Sequence, residues 1–183
     1  MARLAGPYGC TRGRRGGRLI VVCTGPESSG KTTLAQALAA HLKVPLVREQ
    51  ARDYLSTPRY VPTDILNIAA RQVAAERDAR VQASLACADT DLQVLYIWWQ
   101  ERFGPAPSAL ARAYATQSPR LYLLCRPDLP WQADPLRENP NDRDRLFELY
   151  RRDLSARELN FAIVEGQGQA RVEQALGSVA GVV

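Results

Sequence analysis

The sequence has no apolar run long enough to cross a membrane, because no stretch approaches the roughly 18 consecutive apolar residues of a spanning helix. It also has few cysteines, and the four present form no C-x-x-C pair (Cys10, Cys23, Cys87 and Cys125). This spacing argues against zinc ligation and against a disulfide framework, and three of the four lie in apolar segments where buried free thiols are expected. We therefore expect a cytoplasmic protein without a membrane span.

Acidic residues are absent from the first 18 positions, and this absence accounts for the net charge of +5. Five of the 24 basic residues lie there, which leaves 19 basic against 19 acidic residues in the rest of the chain. The Gly/Arg-rich opening has too few apolar residues to pack, so residues 1–17 are predicted to be a disordered basic tail. A nucleic-acid contact, an anionic-surface contact or a targeting role is the alternative, but a solvated tail is favoured.

Residues 18–183 alternate short apolar runs with helical patterns, as expected of one α/β domain. This alternation predicts a five-stranded parallel sheet covered by helices on both faces, a three-layer sandwich. The third run is rich in small residues and could also continue the helix before it. The predicted strands are residues 18–24, 44–49, 84–89, 120–126 and 160–165, and a long helix capped by Thr63 is predicted over 64–83.

A glycine-rich loop, GPESSGKTT, follows the first predicted strand and precedes a helical pattern. Its spacing G-x-x-x-x-G-K-[ST] is that of a P-loop, although a chance glycine-rich turn is the alternative. Such a loop turns backbone N–H groups toward a phosphate, while the lysine reaches the β- and γ-phosphates and the following hydroxyl binds Mg²⁺. We expect ATP and Mg²⁺ as cofactors, held by Gly25, Glu27, Ser28, Ser29, Gly30, Lys31, Thr32 and Thr33, with Lys31 also catalytic.

Carboxylates follow two other predicted strands, at the sheet edge where ligands of such folds bind. Asp89 ends the third strand and is placed to hold Mg²⁺ together with Thr32, although it could instead cap the next helix. Glu49 ends the second strand, beside Arg52 and Asp53, and could accept the proton of a substrate hydroxyl. The alternative for Glu49 is a surface ion pair with Arg52.

A helix is predicted after Asp91, and its two tryptophans are assigned different roles. Trp98 lies seven residues beyond Asp91, so both would project from nearly one face, and an aromatic ring could stand beside a site carboxylate. Packing in the core is the alternative for Trp98. Trp99 falls on the stripe of Leu92 and Leu95, and we expect it in the core.

Arginines are frequent in residues 127–145, a segment rich in Pro and Asp that we predict to be a lid. Arg137 and Arg143 could neutralise the charge that grows during phosphoryl transfer, and closure of the lid would exclude water. The alternative is a set of solvated loop arginines paired with the acids of the same segment.

The chain resembles the ribosylnicotinamide kinase domain of the NadR family, a group of P-loop ATPases and kinases. The matching stretches are GPESSGKTTLAQALA, PLVREQARDYL, DTDLQVLYIW, RLYLLCRPDLPWQADPLRENPNDRDRLFELY and IVEGQGQARVEQA. The resemblance implies transfer of the γ-phosphoryl group of ATP to the 5′-hydroxyl of nicotinamide riboside, which gives nicotinamide mononucleotide. It also implies that the cationic pyridinium is bound by an aromatic face and carboxylates, here supplied by Trp98, Glu49, Asp53, Asp89 and Asp91, with Arg52 nearby.

The sequence departs from the family patterns E-Y-A-R and L-K-I-W-S-E at Gln50, Tyr96, Trp99 and Gln100, which leaves the substrate more open than the phosphoryl transfer. A kinase of another nucleoside or nucleotide is therefore a second reading, and a nucleotide-dependent regulatory ATPase is a third. A GTPase switch is disfavoured, because RPDLPW stands where an N-K-x-D guanine reader would follow the fourth strand. Nucleic acid would be a partner only through the tail.

Overall fold

A computed structural model describes residues 18–55, 57, 59–133 and 141–182. The predicted tail, residues 1–17, and the central part of the predicted lid, residues 134–140, lie outside the described residues. Among the residues that are described, no helix combines the length and the apolar character needed to cross a membrane.

The described strands are β1 (Leu19–Thr24), β2 (Leu46–Val47), β3 (Leu85–Asp89), β4 (Arg120–Cys125) and β5 (Phe161–Val164). They form one parallel sheet in the order β2-β3-β1-β4-β5, which confirms the predicted fold class. β2 is shorter than its apolar run because it is an edge strand that pairs only with β3. The small-residue run 84–89 forms a strand rather than continuing the preceding helix, since it lies between β1 and β2.

Seven helices connect and flank these strands in the described part of the chain: α1 (Lys31–Leu42), α2 (Gln50–Tyr54), α3 (Pro62–Gln82), α4 (Leu92–Phe103), α5 (Ser108–Ala115), α6 (Arg143–Ala156) and α7 (Gly168–Ala180). The predicted cap at Thr63 is wrong. α3 begins at Pro62, whose fixed φ suits a first helical position, and Asp64 accepts a hydrogen bond of 2.8 Å from the N–H of Val61. The short helix α2 was not expected from the sequence.

Two apolar layers cover the two faces of the sheet, as the alternation along β1 shows. Ile20 and Val22 face the cluster that includes α3, α4 and α6, while Val21 and Cys23 face the cluster that includes α1 and α7. Trp99 is 8% exposed in the first cluster, so its predicted place in the core is confirmed.

The strand order places a topological switch beside β1. The chain leaves β1 toward the β2 edge and leaves β4 toward the β5 edge, although β1 and β4 are neighbours in the sheet. Crevices at such points, outside the carboxyl ends of the strands, are the usual ligand sites of open α/β sheets. The P-loop sequence begins at this point, directly after Thr24.

Candidate active site

The loop between β1 and α1 needs glycine at both ends. Gly25 has a φ of +129°, and a Cβ added there would lie 2.8 Å from the carbonyl oxygen of Cys125. Gly30 has a φ of +78°, and a Cβ there would lie 2.7 Å from Cδ1 of Leu129. These backbone conformations and close approaches exclude ordinary side chains and explain why the motif begins and ends in glycine.

Side chains of the loop hold its shape from within. The Ser29 hydroxyl and the Lys31 ammonium both donate to the carbonyl oxygen of Pro26, each over 2.7 Å. Lys31 is the first residue of α1, so its ammonium and the N-terminus of this helix add positive charge at one place. The predicted P-loop therefore has the arrangement of an anion site at a helix N-terminus.

A cavity of about 310 Å³ joins this loop to four other parts of the fold. Residues 25–33 line it together with Glu49 and Arg52 from the end of β2 and from α2. Helix α4 contributes Trp98 and Glu101 among others, α6 contributes Leu146 and Tyr150, and the start of the predicted lid contributes Leu129, Pro130 and Gln132. The cavity is thus bounded by a phosphate-type loop and, outside this loop, by two carboxylates and two aromatic rings.

Asp89 lies at the end of β3 and is only 3% exposed. Burial and the nearby charge of Glu49 raise the pKa of Asp89 above its ordinary value, while a hydrogen bond from Thr32 and the charge of Lys31 act in the opposite direction. Its Oδ1 atom is buried and has no hydrogen-bond partner among the described residues. A hydroxyl and a free carboxylate oxygen side by side fit Mg²⁺, a hard cation that also takes water and phosphate oxygens as ligands.

Clusters of three or more His, Cys, Asp or Glu that could hold a metal ion do not occur within the described residues. A magnesium ion held by Thr32 and Asp89 would therefore share its coordination with the nucleotide and water, as is usual for this cation.

Glu49 combines both roles considered for it. Its carboxylate lines the cavity, and its Oε2 accepts a hydrogen bond of 2.8 Å from Nε of Arg52. The charge of Glu49 is one of the causes that raise the pKa of Asp89. Asp53, in contrast, is exposed and does not line the cavity, so the structure does not bring it to the site.

The structure does not bring Asp91 to the cavity, where the sequence analysis expected it to contact the substrate. Asp91 is 0% exposed, and its Oδ2 accepts hydrogen bonds from Arg120 (2.8 Å) and Tyr122 (2.7 Å). Its Oδ1 accepts from the N–H of Gln93, so Asp91 is the N-cap of α4. The spacing argument that paired it with Trp98 fails because an N-cap has extended backbone and lies outside the helical repeat.

Trp98 lines the cavity without Asp91. Its ring centroid lies 4.5 Å from that of the buried Tyr60, which fixes the indole from behind. Glu101 follows one helical turn later and lines the same cavity, and it pairs with Arg145 at the start of α6. Sequence reasoning missed Glu101, although its i,i+3 spacing from Trp98 was a usable signal.

Arg143, the first residue of α6, connects the P-loop to the start of the lid. Its Nη1 donates to the carbonyl oxygen of Leu129 over 2.8 Å and to that of Ser28 over 3.4 Å. Arg143 does not line the cavity, so its catalytic role stays a prediction. Arg137, the other predicted lid arginine, lies outside the described residues.

Comparison with known proteins gives a family and a fold. A family profile described as "AAA domain" matches residues 20–171, and a comparison with curated proteins gives no significant match. A NadR protein in complex with NAD and AMP-PNP superposes with a TM-score of 0.70 at 18% identity, covering 89% of this chain and 49% of the NadR chain. A NadR protein in complex with NR gives 0.69 at 19% identity, covering 89% and 51%.

A deoxyadenosine kinase from M. mycoides superposes with a TM-score of 0.63 at 12% identity, covering 89% of this chain and all of the kinase. The chain spans about half the length of the NadR chains it matches. At these identities the likeness establishes the fold, which is the one expected from the sequence. The chain therefore belongs to the AAA domain family, and it has the P-loop fold of NadR and of deoxyadenosine kinase.

Proposed function

We propose that the protein is an ATP-dependent phosphotransferase that phosphorylates the 5′-hydroxyl of nicotinamide riboside. The observation that carries the proposal is the cavity in which the P-loop, Glu49, Trp98 and Glu101 meet. A P-loop alone describes only the phosphate donor, whereas this cavity also offers a place for an acceptor.

The donor half consists of the loop amides, Lys31 and the first turn of α1, which bind the β- and γ-phosphates of ATP. Thr32 and Asp89 would hold Mg²⁺, which would neutralise charge on the phosphate oxygens when bound. Arg143 is tied to the Ser28 carbonyl and so connects the loop with the segment that follows Leu129. Leu129, Pro130 and Gln132, at the start of the predicted lid, line this half of the cavity and help to exclude water.

In the acceptor half, the 5′-hydroxyl oxygen attacks the γ-phosphorus, and the bond to the bridging β,γ-oxygen breaks with its electron pair leaving on ADP. The proton of the hydroxyl passes to the Glu49 carboxylate. Arg52, 2.8 Å from Glu49 Oε2, holds this carboxylate in place.

The choice of nicotinamide riboside is supported by the charge and shape of this half. A pyridinium cation is attracted by the face of an indole and by a neighbouring carboxylate, and Trp98 and Glu101 provide both one turn apart on α4. One of the similar NadR structures is a complex with NR. The product would be nicotinamide mononucleotide, and the reaction would be a step of NAD salvage.

A kinase of another nucleoside is the second candidate, because deoxyadenosine kinase has the same fold and covers the chain equally well. The two candidates are separated by incubating the protein with Mg²⁺-ATP and a panel of nucleosides that includes nicotinamide riboside. ADP release and the phosphorylated product are followed together, with Lys31→Ala as the inactive control. We expect turnover with nicotinamide riboside; turnover with another nucleoside alone would replace the substrate, and binding of ATP without acceptor-dependent turnover would favour a regulatory ATPase.

A further inference from the structure

Arg171 is a buried arginine that the proposed chemistry does not use. It lies in the first turn of α7 and is 4% exposed. Both terminal nitrogens of its guanidinium are fully engaged: Nη1 donates to Asp128 Oδ1 (2.7 Å) and to the Gly166 carbonyl (2.6 Å), and Nη2 donates to the carbonyls of Ser29 (2.8 Å) and Arg126 (3.2 Å). One side chain thus joins the loops that follow β1, β4 and β5.

Asp128 completes this arrangement. Its Oδ1 pairs with Arg171, and its Oδ2 accepts a hydrogen bond of 2.6 Å from the N–H of Gly166. Removing an arginine from water is costly unless its donors find well-placed acceptors. Here all four Nη protons have an acceptor, and only one of these acceptors is charged, whereas the buried Nε has no hydrogen-bond partner among the described residues. Because most of the acceptors are main-chain carbonyls, the contacts of the Arg171 guanidinium orient the backbone.

The contact with Ser29 has a direct consequence for the P-loop. The carbonyl of Ser29 and the N–H of Gly30 belong to one planar trans peptide and point in opposite directions. Because Arg171 holds the carbonyl on its own side, the Gly30 N–H is turned to the other side. Gly30 lines the cavity and Arg171 does not, so the amide is directed toward the place where phosphate binds.

Arg143 makes the corresponding contact one residue earlier. Its bond of 3.4 Å to the Ser28 carbonyl turns the N–H of Ser29 away from Arg143 in the same manner. The Ser28–Arg143 contact is longer than the Ser29–Arg171 contact of 2.8 Å, and Arg143 is only partly buried. Arg171 is therefore the stronger of the two constraints.

We propose that Arg171, held by Asp128, is a positioning residue that aims the Gly30 amide at the polyphosphate of the nucleotide. The inference rests on the proposed phosphate site but not on the identity of the acceptor. It assigns to Arg171 an effect on phosphate affinity that a residue serving only to hold the fold together would not have.

The test compares Arg171→Met, Arg171→Lys and Asp128→Asn with the unchanged protein. Calorimetry measures the affinity for Mg²⁺-ATP and for inorganic tripolyphosphate, and thermal unfolding measures stability. A lysine keeps the charge but has three donors on one atom and cannot span four acceptors. We expect all three variants to bind tripolyphosphate about ten- to hundredfold more weakly, the order expected for losing a charge-assisted hydrogen bond.

Arg157→Met is the matched control, because Arg157 also pairs with an acid, Asp153, but lies at the end of α6 away from the P-loop. It should lower stability without changing tripolyphosphate affinity. The inference would be overturned if folded Arg171→Met, or Arg171→Lys, bound tripolyphosphate as tightly as the unchanged protein. If Arg171→Met does not fold, the tripolyphosphate affinity of Asp128→Asn decides the question. An unchanged protein that binds Mg²⁺-ATP but phosphorylates no acceptor would refute the proposed function and leave this test intact.

Discussion

Two carboxylates that the proposed reaction uses have different surroundings. Asp89 ends β3, is buried next to Thr32 and does not line the cavity, whereas Glu101 lies on α4 and lines the cavity beside Trp98. These surroundings predict different consequences for stability and for substrate choice.

Asp89→Asn is expected to separate stability from function. Burial raises the pKa of Asp89, so ionisation of this group disfavours the folded state. This unfavourable contribution is fully present above the pKa in the folded protein, shrinks as the pH falls through that pKa, and is gone below the ordinary pKa of the unfolded chain. The variant should therefore unfold at a higher temperature at pH 7, with a difference that shrinks in acid. Mg²⁺ should bind about ten- to hundredfold more weakly in the presence of ATP, by analogy with the loss of groups around metal sites. A lower unfolding temperature at pH 7 would contradict this account of Asp89.

Glu101→Gln should reduce the preference for a charged acceptor. Nicotinamide riboside carries a cationic ring, whereas its reduced dihydropyridine form is neutral and of similar size. We expect the ratio of kcat/KM for the cationic over the neutral form to fall about three- to tenfold, the order of one partly exposed cation contact. Glu148→Gln is the control, because Glu148 is also paired with an arginine but does not line the cavity. An unchanged ratio in Glu101→Gln would remove this residue from acceptor recognition.

Among the secondary-structure elements, the sequence predicted those that depend on a local pattern of apolar residues. Buried strands form continuous apolar runs, and four of the five were placed to within one residue at each end for this reason. Contacts between distant parts of the chain leave no such pattern. Arg171 is 142 positions from Ser29, and nothing in its own neighbourhood distinguishes it from an exposed helix arginine.

Asp91 shows the same limit, because its contacts also lie far away along the chain. Its position after a strand was compatible with a ligand site, but its partners Arg120 and Tyr122 lie on β4 and are about 30 positions away along the chain (29 and 31). The sequence at the end of β3 does not reveal that the side chain of Arg120, on β4, is turned toward Asp91. The loop between β1 and α1 could be recognised from the sequence because its motif consists of consecutive residues.

The glycines of the P-loop differ in what an added methyl group would meet. Gly25→Ala would place Cβ against a main-chain oxygen, whereas Gly30→Ala would meet the mobile end of Leu129, and both have positive φ. Both substitutions should lower the free energy of unfolding by roughly 1–3 kcal/mol for backbone strain alone. Gly25→Ala should lower it by more than Gly30→Ala, because its Cβ also meets a main-chain oxygen. Gly177→Ala in α7 is the control, since no atom lies within 4 Å of the added Cβ, and it should stabilise by about 0.5–1 kcal/mol. Urea unfolding measures all three, and equal losses at Gly25 and Gly177 would contradict the geometry.

For the whole molecule, a buried polar network joins the layers on one side of the sheet. Arg120 on β4 binds Asp91 at the cap of α4 and Glu76 on α3, and both pairs are almost completely buried. Burial raises the pKa of Glu76 in spite of the arginine, so this charge depends on its partner. The network fixes α3 and α4 against the sheet and thereby holds the wall that carries Trp98.

Arg120→Met should therefore destabilise the protein strongly, by about 3–5 kcal/mol, because it leaves two carboxylates buried without their cation. Arg145→Met is the matched comparison, since Arg145 also binds two carboxylates, Glu101 and Asp142, but its side chain is 51% exposed. Its loss should cost less than about 1 kcal/mol. Denaturant unfolding at neutral pH measures both, and similar losses for the two variants would show that the buried network contributes no more than a surface pair.

The central claim is that one cavity brings a nucleotide phosphate and an acceptor hydroxyl together, and the fate of the γ-phosphoryl group tests it directly. ATP labelled with ¹⁸O on the three non-bridging γ-oxygens is incubated with Mg²⁺, nicotinamide riboside and the protein, and the masses of the products are measured by mass spectrometry. The account predicts ADP and nicotinamide mononucleotide that carries all three labelled oxygens, with neither formed by Lys31→Ala. Labelled inorganic phosphate beside unmodified riboside would contradict it.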